Sequence, residues 1–197
     1  MTKYTLCLLE DLTDTTYEKI YSLMVADRQN KVRRMQKDDD KKRTLAGEYL
    51  VKTLVCDHLG YSFRDIQLVA DAKGKPKLEN VGISCTISHS EKMVGAAISD
   101  TPIGMDVEQI HAVSKKLAKR VCTAQELLYL FGFSPQEADF EKEADAAWLN
   151  RFFEIWTKKE AYFKYLGTGI TDFKKVEVLD MQFESFIQDD YYVSIFK

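Results

Sequence analysis

Apolar positions along this chain change period several times, and the changes mark out its elements. Residues 4–9 run apolar with strand character, and residues 16–25 carry apolar side chains at helical spacing. A charged stretch, residues 28–42, leads into a long helix on which Leu45, Tyr49, Leu50, Leu54 and Val55 share a stripe. Asp38, Asp39 and Asp40 suit the positive N-terminal end of that helix, and Gly60 is its expected stop. Residues 66–70 read as a strand and 71–76 as a turn, with a short extended piece after it. Three further strands follow at 83–87, 93–99 and 103–108.

Helices then resume. Thr123-Ala124-Gln125-Glu126 and Ser134-Pro135-Gln136-Glu137 both have the spacing of a capping box. An acidic run at 141–145 precedes one long helix, 146–166, which Gly167 and Gly169 end. Residues 176–179, 183–187 and 191–196 read as closing strands. Each half thus passes from strand or loop through a long helix into strands. The pattern predicts an α+β protein of two pseudo-symmetric halves, each a small β-sheet packed on a long helix. The division falls near Asp100 and Pro102, giving residues 1–100 and 101–197.

Composition narrows the function classes. Of 197 residues, 45% are hydrophobic, enough for a sizeable core, and 30% are charged, normal for a water-exposed surface. A net charge of −3 supplies no global field for nucleic acid or anionic lipid, so neither is expected as a partner. The N-terminal apolar run is too short for a signal peptide, and no run approaches the roughly 18 residues that span a bilayer. Four cysteines, Cys7, Cys56, Cys85 and Cys122, lie far apart with no C-x-x-C pair, as buried thiols of a cytoplasmic protein do.

Two short stretches carry the chemistry. On a strand, alternate residues share a face, so Gly104, Asp106 and Glu108 are expected to point outward while Ile103, Met105 and Val107 enter the core. Asp106 and Glu108 would then stand about 7 Å apart at Cα. On the long helix, Glu160 and Lys164 share a stripe with Trp156 one turn before, where the indole either anchors the helix or walls a pocket. Three acids and a lysine are the parts that hold a hard divalent cation and act on a phosphate ester. Each element alone has a plainer reading, as an amphipathic strand and as a Glu–Lys pair worth a few tenths of a kcal/mol.

Taken together, the residues resemble the 4′-phosphopantetheinyl transferases, in particular the two-lobed type that activates surfactin synthetase. That family carries a G-(I/V)-D-x-E strand and a W-(S/T)-x-K-E-(A/S)-x-x-K helix. Here they stand as Gly104-Met105-Asp106-Val107-Glu108 and as Trp156, Thr157, Lys159, Glu160, Ala161 and Lys164. Arg43-Thr44-Leu45-Ala46-Gly47 resembles the family's arginine-bearing helix, Gly74-Lys75-Pro76 its G-K-P turn, and Ile87-Ser88-His89-Ser90 its I-S-H-S loop. Met105 replaces the usual isoleucine or valine, and Thr86 stands where asparagine is common.

The resemblance implies an active site at the interface of the halves and a magnesium-dependent enzyme, with manganese as the alternative ion. Its reaction would move the phosphopantetheine arm of coenzyme A onto a serine of an apo acyl or peptidyl carrier protein, releasing adenosine 3′,5′-bisphosphate. By the same carry-over, Asp106, Glu108 and Glu160 hold the metal, Glu160 is the general base, and Lys164 neutralises phosphoryl charge. Lys159 is a further phosphate contact. Lys31, Arg43, Ser88 and His89 receive the 3′-phosphate, while Lys75 and Pro76 lie against the adenine. The N-terminal half would therefore bind coenzyme A, and the C-terminal half would hold the metal and catalytic motifs, within a monomer. Lys115, Lys116, Lys119 and Arg120 precede the apolar run at 127–131; that segment reads equally as a landing site for an acidic carrier helix or as a helix packed on the core. Two other functions compete: a nuclease-like magnesium enzyme, and a catalytically silent module that binds carrier proteins.

Overall fold

The computed structural model describes residues 1–169 and 171–197, and the chain forms two compact units, Met1–Ile103 and Gly104–Lys197. The first contains β1 (Thr2–Leu8), α1 (Asp14–Leu23), α2 (Ala26–Arg33), α3 (Asp38–Leu59), β2 (Leu68–Ala70), β3 (Pro76–Leu78), β4 (Ser84–Ser90) and β5 (Met93–Ser99). Strands β1, β5 and β4 form an antiparallel sheet with β5 in the middle, and β2 pairs with β3 as a separate hairpin. Every residue of β5 is buried, which is why Met93-Val94-Gly95-Ala96-Ala97-Ile98 reads as an unbroken apolar run rather than an alternating one.

Helix α3 is the spine of this unit. Its Leu45, Val51 and Val55 are buried with Val94, Ala96 and Ile98 of the central strand. The helix approaches β4 closely at Gly47, where a Cβ would come within 2.8 Å of the Ile87 side chain. Gly60 ends it in the left-handed conformation, φ 73°.

The second unit contains β6 (Gly104–Gln109), α4 (Ala118–Val121), α5 (Ala124–Phe131), α6 (Ala146–Leu166), β7 (Glu184–Gln188) and β8 (Tyr191–Phe196). Its sheet, β6-β8-β7, is again antiparallel, and the register sets Asp106 opposite Ser194. The 21-residue α6 starts at Asp145, whose carboxylate accepts from the Trp148 amide at 2.8 Å, and stops at Gly167, φ 65°. Trp148 stacks on Phe152 at 5.2 Å and Phe152 meets Phe153 edge-on, forming an aromatic core. The architecture is the expected one, a small sheet on a long helix in each half.

Four local expectations are corrected. Ile87-Ser88-His89-Ser90 belongs to β4 rather than to a loop, and the turn comes after it at Glu91, φ 46°. Residues 176–179 form no strand, because the Val178 amide donates to the Glu126 carboxylate (3.2 Å) and the Leu179 amide to Glu177 (3.1 Å), leaving no ladder. The box at Thr123 and Glu126 forms, but the second box closes between Gln136 and Asp139 instead of beginning at Ser134. Finally, Asp106 is only 2% exposed, since α6 covers the strand face that the alternation assigned to solvent.

Candidate active site

The close packing of α6 on β6 assembles the acidic group. A Cβ on Gly104 would collide with the Ala161 carbonyl oxygen and lie 2.5 Å from the Tyr165 amide nitrogen, so only glycine admits the helix backbone at this distance. Thr157 fixes the helix against the sheet: its hydroxyl donates to the Phe153 carbonyl at 2.8 Å and bonds Ser194 at 2.8 Å, and Ser194 in turn meets Ser185 at 3.0 Å. Thr157, Ala161 and Lys164 follow one another at helical spacing on the sheet-facing side. Lys164 accordingly reaches Asp106, Nζ to Oδ1 2.7 Å.

Glu160 is crowded by negative charge. Its pKa is pushed up from the ordinary 4.5 to about 7, first by burial and then by Asp106, with Lys164 opposing and Glu108 adding to the rise. Strand and helix thus bring all four residues of the motif into one electrostatic neighbourhood. Among the described residues no three carboxylate, imidazole or thiol groups stand as a preformed metal cluster. The donor set nevertheless suits a hard cation in kind: Asp106 and Glu160 share Lys164, Glu108 adds a third carboxylate, and burial with the neighbouring acids raises the Glu160 pKa. Beyond them, Glu108 and Trp156 line a cavity of about 180 Å³ together with His111, Val113, Leu117, Phe152 and Phe153. Trp156 also stacks on Phe173 at 5.3 Å, so it both anchors the helix and walls a pocket.

Lys159 requires a correction. It is 0% exposed, and its ammonium donates to the Val121 and Phe173 carbonyls at 2.9 and 2.7 Å and pairs with Glu126 at 2.6 Å. It staples α4, α5 and the loop after α6 together and has no reach to a phosphate. Its partner Glu126 was visible in the sequence only as a capping residue; nothing there signalled that the same carboxylate is wholly buried.

In the first unit, Arg43 and His89 line one cavity of about 690 Å³, joined by Lys37, Asp38, Asp39, Asp40 and Glu91. Arg43 donates to the Glu91 carbonyl at 2.6 Å and to Asp40 at 2.5 Å. Lys41 and Lys92 pair with Asp38 and Asp39, and those hydrogen bonds hold both carboxyls below the usual range. An anion entering here would compete with Asp40 for the guanidinium. Lys37, from the charged stretch at 28–42, joins this wall.

The other expected coenzyme residues do not line that cavity. Lys31 is exposed on α2. Ser88 is 4% exposed and, as the neighbour of His89 on an extended strand, lies on the opposite face. Lys75 and Pro76 close the β2–β3 hairpin, where the Asp71 carboxylate accepts the Lys73 and Lys75 amides at 2.8 and 2.9 Å. Around the apolar run at 127–131, α5 buries Glu126 and Leu130 and leaves Leu128 and Tyr129 50% and 41% exposed. Its basic neighbours are engaged, Lys116 with Glu141, Lys119 with Glu137, and Lys115 over the Phe131 ring.

Two family models cover nearly the whole chain. The 4′-phosphopantetheinyl transferase superfamily model matches residues 102–193, and the N-terminal 4′-phosphopantetheinyl transferase model matches residues 12–101. The chain belongs to the 4′-phosphopantetheinyl transferase superfamily. It is 31% identical over 131 residues to the 4′-phosphopantetheinyl transferase gsp of Aneurinibacillus migulanus, covering 66% of this chain and 51% of that one. To the 4′-phosphopantetheinyl transferase Sfp of Bacillus subtilis strain 168 it is 27% identical over 161 residues, 81% of this chain and 67% of that one. The chain therefore spans between about half and two thirds of the length of these relatives. A solved holo-(acyl-carrier-protein) synthase from Bacillus anthracis, in complex with CoA, matches 49% of this chain and 91% of its own at 20% identity and a TM-score of 0.43, a likeness too slight to argue from. No helix among the described residues is long and apolar enough to cross a membrane.

Proposed function

We propose that this protein transfers the 4′-phosphopantetheine arm of coenzyme A to a serine hydroxyl of an apo acyl or peptidyl carrier protein, releasing adenosine 3′,5′-bisphosphate. The observation that carries the reading is the union of Asp106, Glu108, Glu160 and Lys164 on one strand and one helix, within a chain that matches the transferase models in both halves. Asp106, Glu108 and Glu160 are the residues that would hold magnesium or manganese, which when bound supplies charge neutralisation at the pyrophosphate.

The chain's own groups account for the rest. Glu160, on α6 beside Asp106 and Lys164, is placed to take the serine proton. Lys164 compensates charge on the phosphoryl oxygens from its position beside Asp106. In the first unit, Arg43 and His89 would receive the 3′-phosphate in the cavity they share, with Lys31 as a further cationic contact. Lys75 and Pro76 are retained as the adenine-side residues, and Ser88 as a 3′-phosphate contact. All four cysteines stand outside disulfides, in keeping with a reducing, cytoplasmic setting. The test is direct: incubate the protein with coenzyme A, magnesium and an apo carrier protein, and weigh the carrier. Gain of one phosphopantetheine is the expected result; an unchanged mass with several carriers would leave a silent binding module as the better description.

A further inference from the structure

The most unusual charge arrangement outside the acidic site lies between α2 and α3. Glu48 and Lys52, one turn apart on α3, are 3% and 2% exposed, and the Glu48 carboxylate is shared. Lys52 Nζ meets Oε1 at 3.0 Å, and Arg28 Nε, from α2, meets Oε2 at 2.5 Å. Lys52 also lies over the Phe63 ring at 5.1 Å. Two cations on one carboxylate leave a net positive charge beneath α2. Desolvating three charges is expensive, and a plain helix contact would be served better by apolar side chains. The arrangement therefore calls for a role.

Helix α2 needs such a tie. Of its eight residues only Val32 is buried, so apolar packing holds it weakly. Its remaining attachments are polar: Gln29 and Tyr21 exchange bonds at 3.0 and 3.4 Å, and Arg33 reaches the Tyr21 hydroxyl at 3.1 Å. Together with the buried Val32, Arg28 fastens it to α3, the helix that carries Arg43. Lys31 stands three positions after Arg28, one turn along and on a neighbouring face. Four residues past α2, Lys37 enters the wall of the Arg43–His89 cavity. Where Arg28 is fastened therefore sets where Lys31 and Lys37 stand.

We propose that Glu48, held between Lys52 and Arg28, is a positioning residue that docks α2 and thereby sets the preference of this protein for 3′-phosphorylated coenzyme A over 3′-dephospho-coenzyme A. This rests on the reading that Lys31 and the Arg43 cavity receive the 3′-phosphate. The two are separable by calorimetric binding of both coenzymes to the full chain, a readout independent of transfer. Wild type is expected to favour coenzyme A. Lys31→Ala, which removes the contact itself, and Arg28→Met, which cuts the tie but leaves the Glu48–Lys52 pair neutral overall, should each shrink the ratio of dissociation constants by about tenfold, the worth of one charge-assisted bond. Affinity for the dephospho form should hold in both variants, as a general loss of structure would not allow.

Glu48→Gln should behave as Arg28→Met. If it proves unstable, the apolar pair Glu48→Met with Lys52→Met replaces it and leaves Arg28 in place. A lost preference in that double variant supports positioning through Glu48. Retention of the preference in the Glu48 variants, alongside its loss in Arg28→Met, would make Arg28 a direct phosphate contact and overturn the proposal. Equal affinity of wild type for the two coenzymes would remove the 3′-phosphate reading and this inference with it. A preference lost only in Lys31→Ala would sink the inference alone.

Discussion

The two units share one plan and carry different side chains on it. Each lays a helix of 22 or 21 residues across a three-stranded antiparallel sheet, ends that helix on a left-handed glycine, and buries a glutamate–lysine pair. Each also brings helix and strand together at a glycine. In the first unit the candidate groups gather at the N-terminal end of the helix, where Arg43 sits among paired aspartates. In the second they gather near the C-terminal end, where Glu160 and Lys164 face a strand that carries Asp106 and Glu108. The scaffold fixes which positions come close; the side chains placed there decide what the site can hold.

The widest contrast should appear in activity. Asp106→Ala and Glu160→Gln are each expected to lower carrier modification by at least about a thousandfold, the scale of losing a catalytic acid–base or charge-stabilising group. Arg43→Ala should mainly raise the requirement for coenzyme A, on the proposal that its cavity receives the 3′-phosphate. Mass spectrometry of the carrier across coenzyme concentrations separates the cases. Near-normal turnover in either acid variant would end the assignment of the acidic group.

Next comes the pair of buried ion pairs. Among the described residues Lys159 is the only ammonium on Glu126, and both are wholly buried, so Lys159→Met leaves a buried carboxylate without a countercharge and should cost about 3–5 kcal/mol. Lys52→Met leaves Glu48 with Arg28 and should cost about 1–2 kcal/mol. Denaturant unfolding of the two variants measures the difference. Equal costs would mean that Arg28 contributes nothing to Glu48.

Those pairs also show where sequence reasoning stops. The long helices were legible because their ends carry local signals: aspartates in the first turn of α3, Asp145 before α6, and a glycine after each. The acidic motif was legible because its spacing lies within single elements. Partners remote in the chain left no trace. Glu126 precedes Lys159 by a whole helix, and its carboxylate also takes the Val178 amide, turning an expected strand into a stapled loop. Asp106 was assigned to solvent because alternation tells which residues share a face, not what covers that face. The tie between Arg28 and Glu48 was equally invisible, since a charged α2 reads as a solvated helix until its neighbour is known.

The two glycine crossings should separate next. Gly104→Ala drives a Cβ into backbone, the Ala161 carbonyl and the Tyr165 amide, neither of which can yield without moving α6. About 3 kcal/mol or more is expected. Gly47→Ala meets the Ile87 Cγ2 methyl, a side-chain atom rather than backbone, while the helix gains about 1 kcal/mol in propensity. Its net effect should stay within about 1 kcal/mol of zero. Thermal unfolding of both variants, with similar losses, would show that the α6 backbone yields as readily as an isoleucine.

The smallest effect concerns pH, and here the units should differ in sign. Glu160 binds its proton more tightly folded than unfolded, with a pKa near 7 against the ordinary 4.5. Its contribution to stability is therefore full below about pH 4.5 and is lost as pH rises through 7. Glu126, raised chiefly by burial, adds to the same trend. In the first unit Asp38 and Asp39 are shifted down by Lys41 and Lys92, so whatever they contribute is present above the ordinary aspartate range and fades on acidification. Between about pH 5 and 7 the decline thus belongs to the second unit. Without divalent cation, the unfolding temperature of wild type should fall across that interval, and Glu160→Gln should flatten the slope without abolishing it, since Glu126 remains. Added magnesium should flatten the wild-type slope in the same way, because a cation among the three carboxylates removes the reason for Glu160 to keep its proton. A slope identical in wild type and Glu160→Gln would mean that Asp106, Glu108 and Glu160 do not share one field.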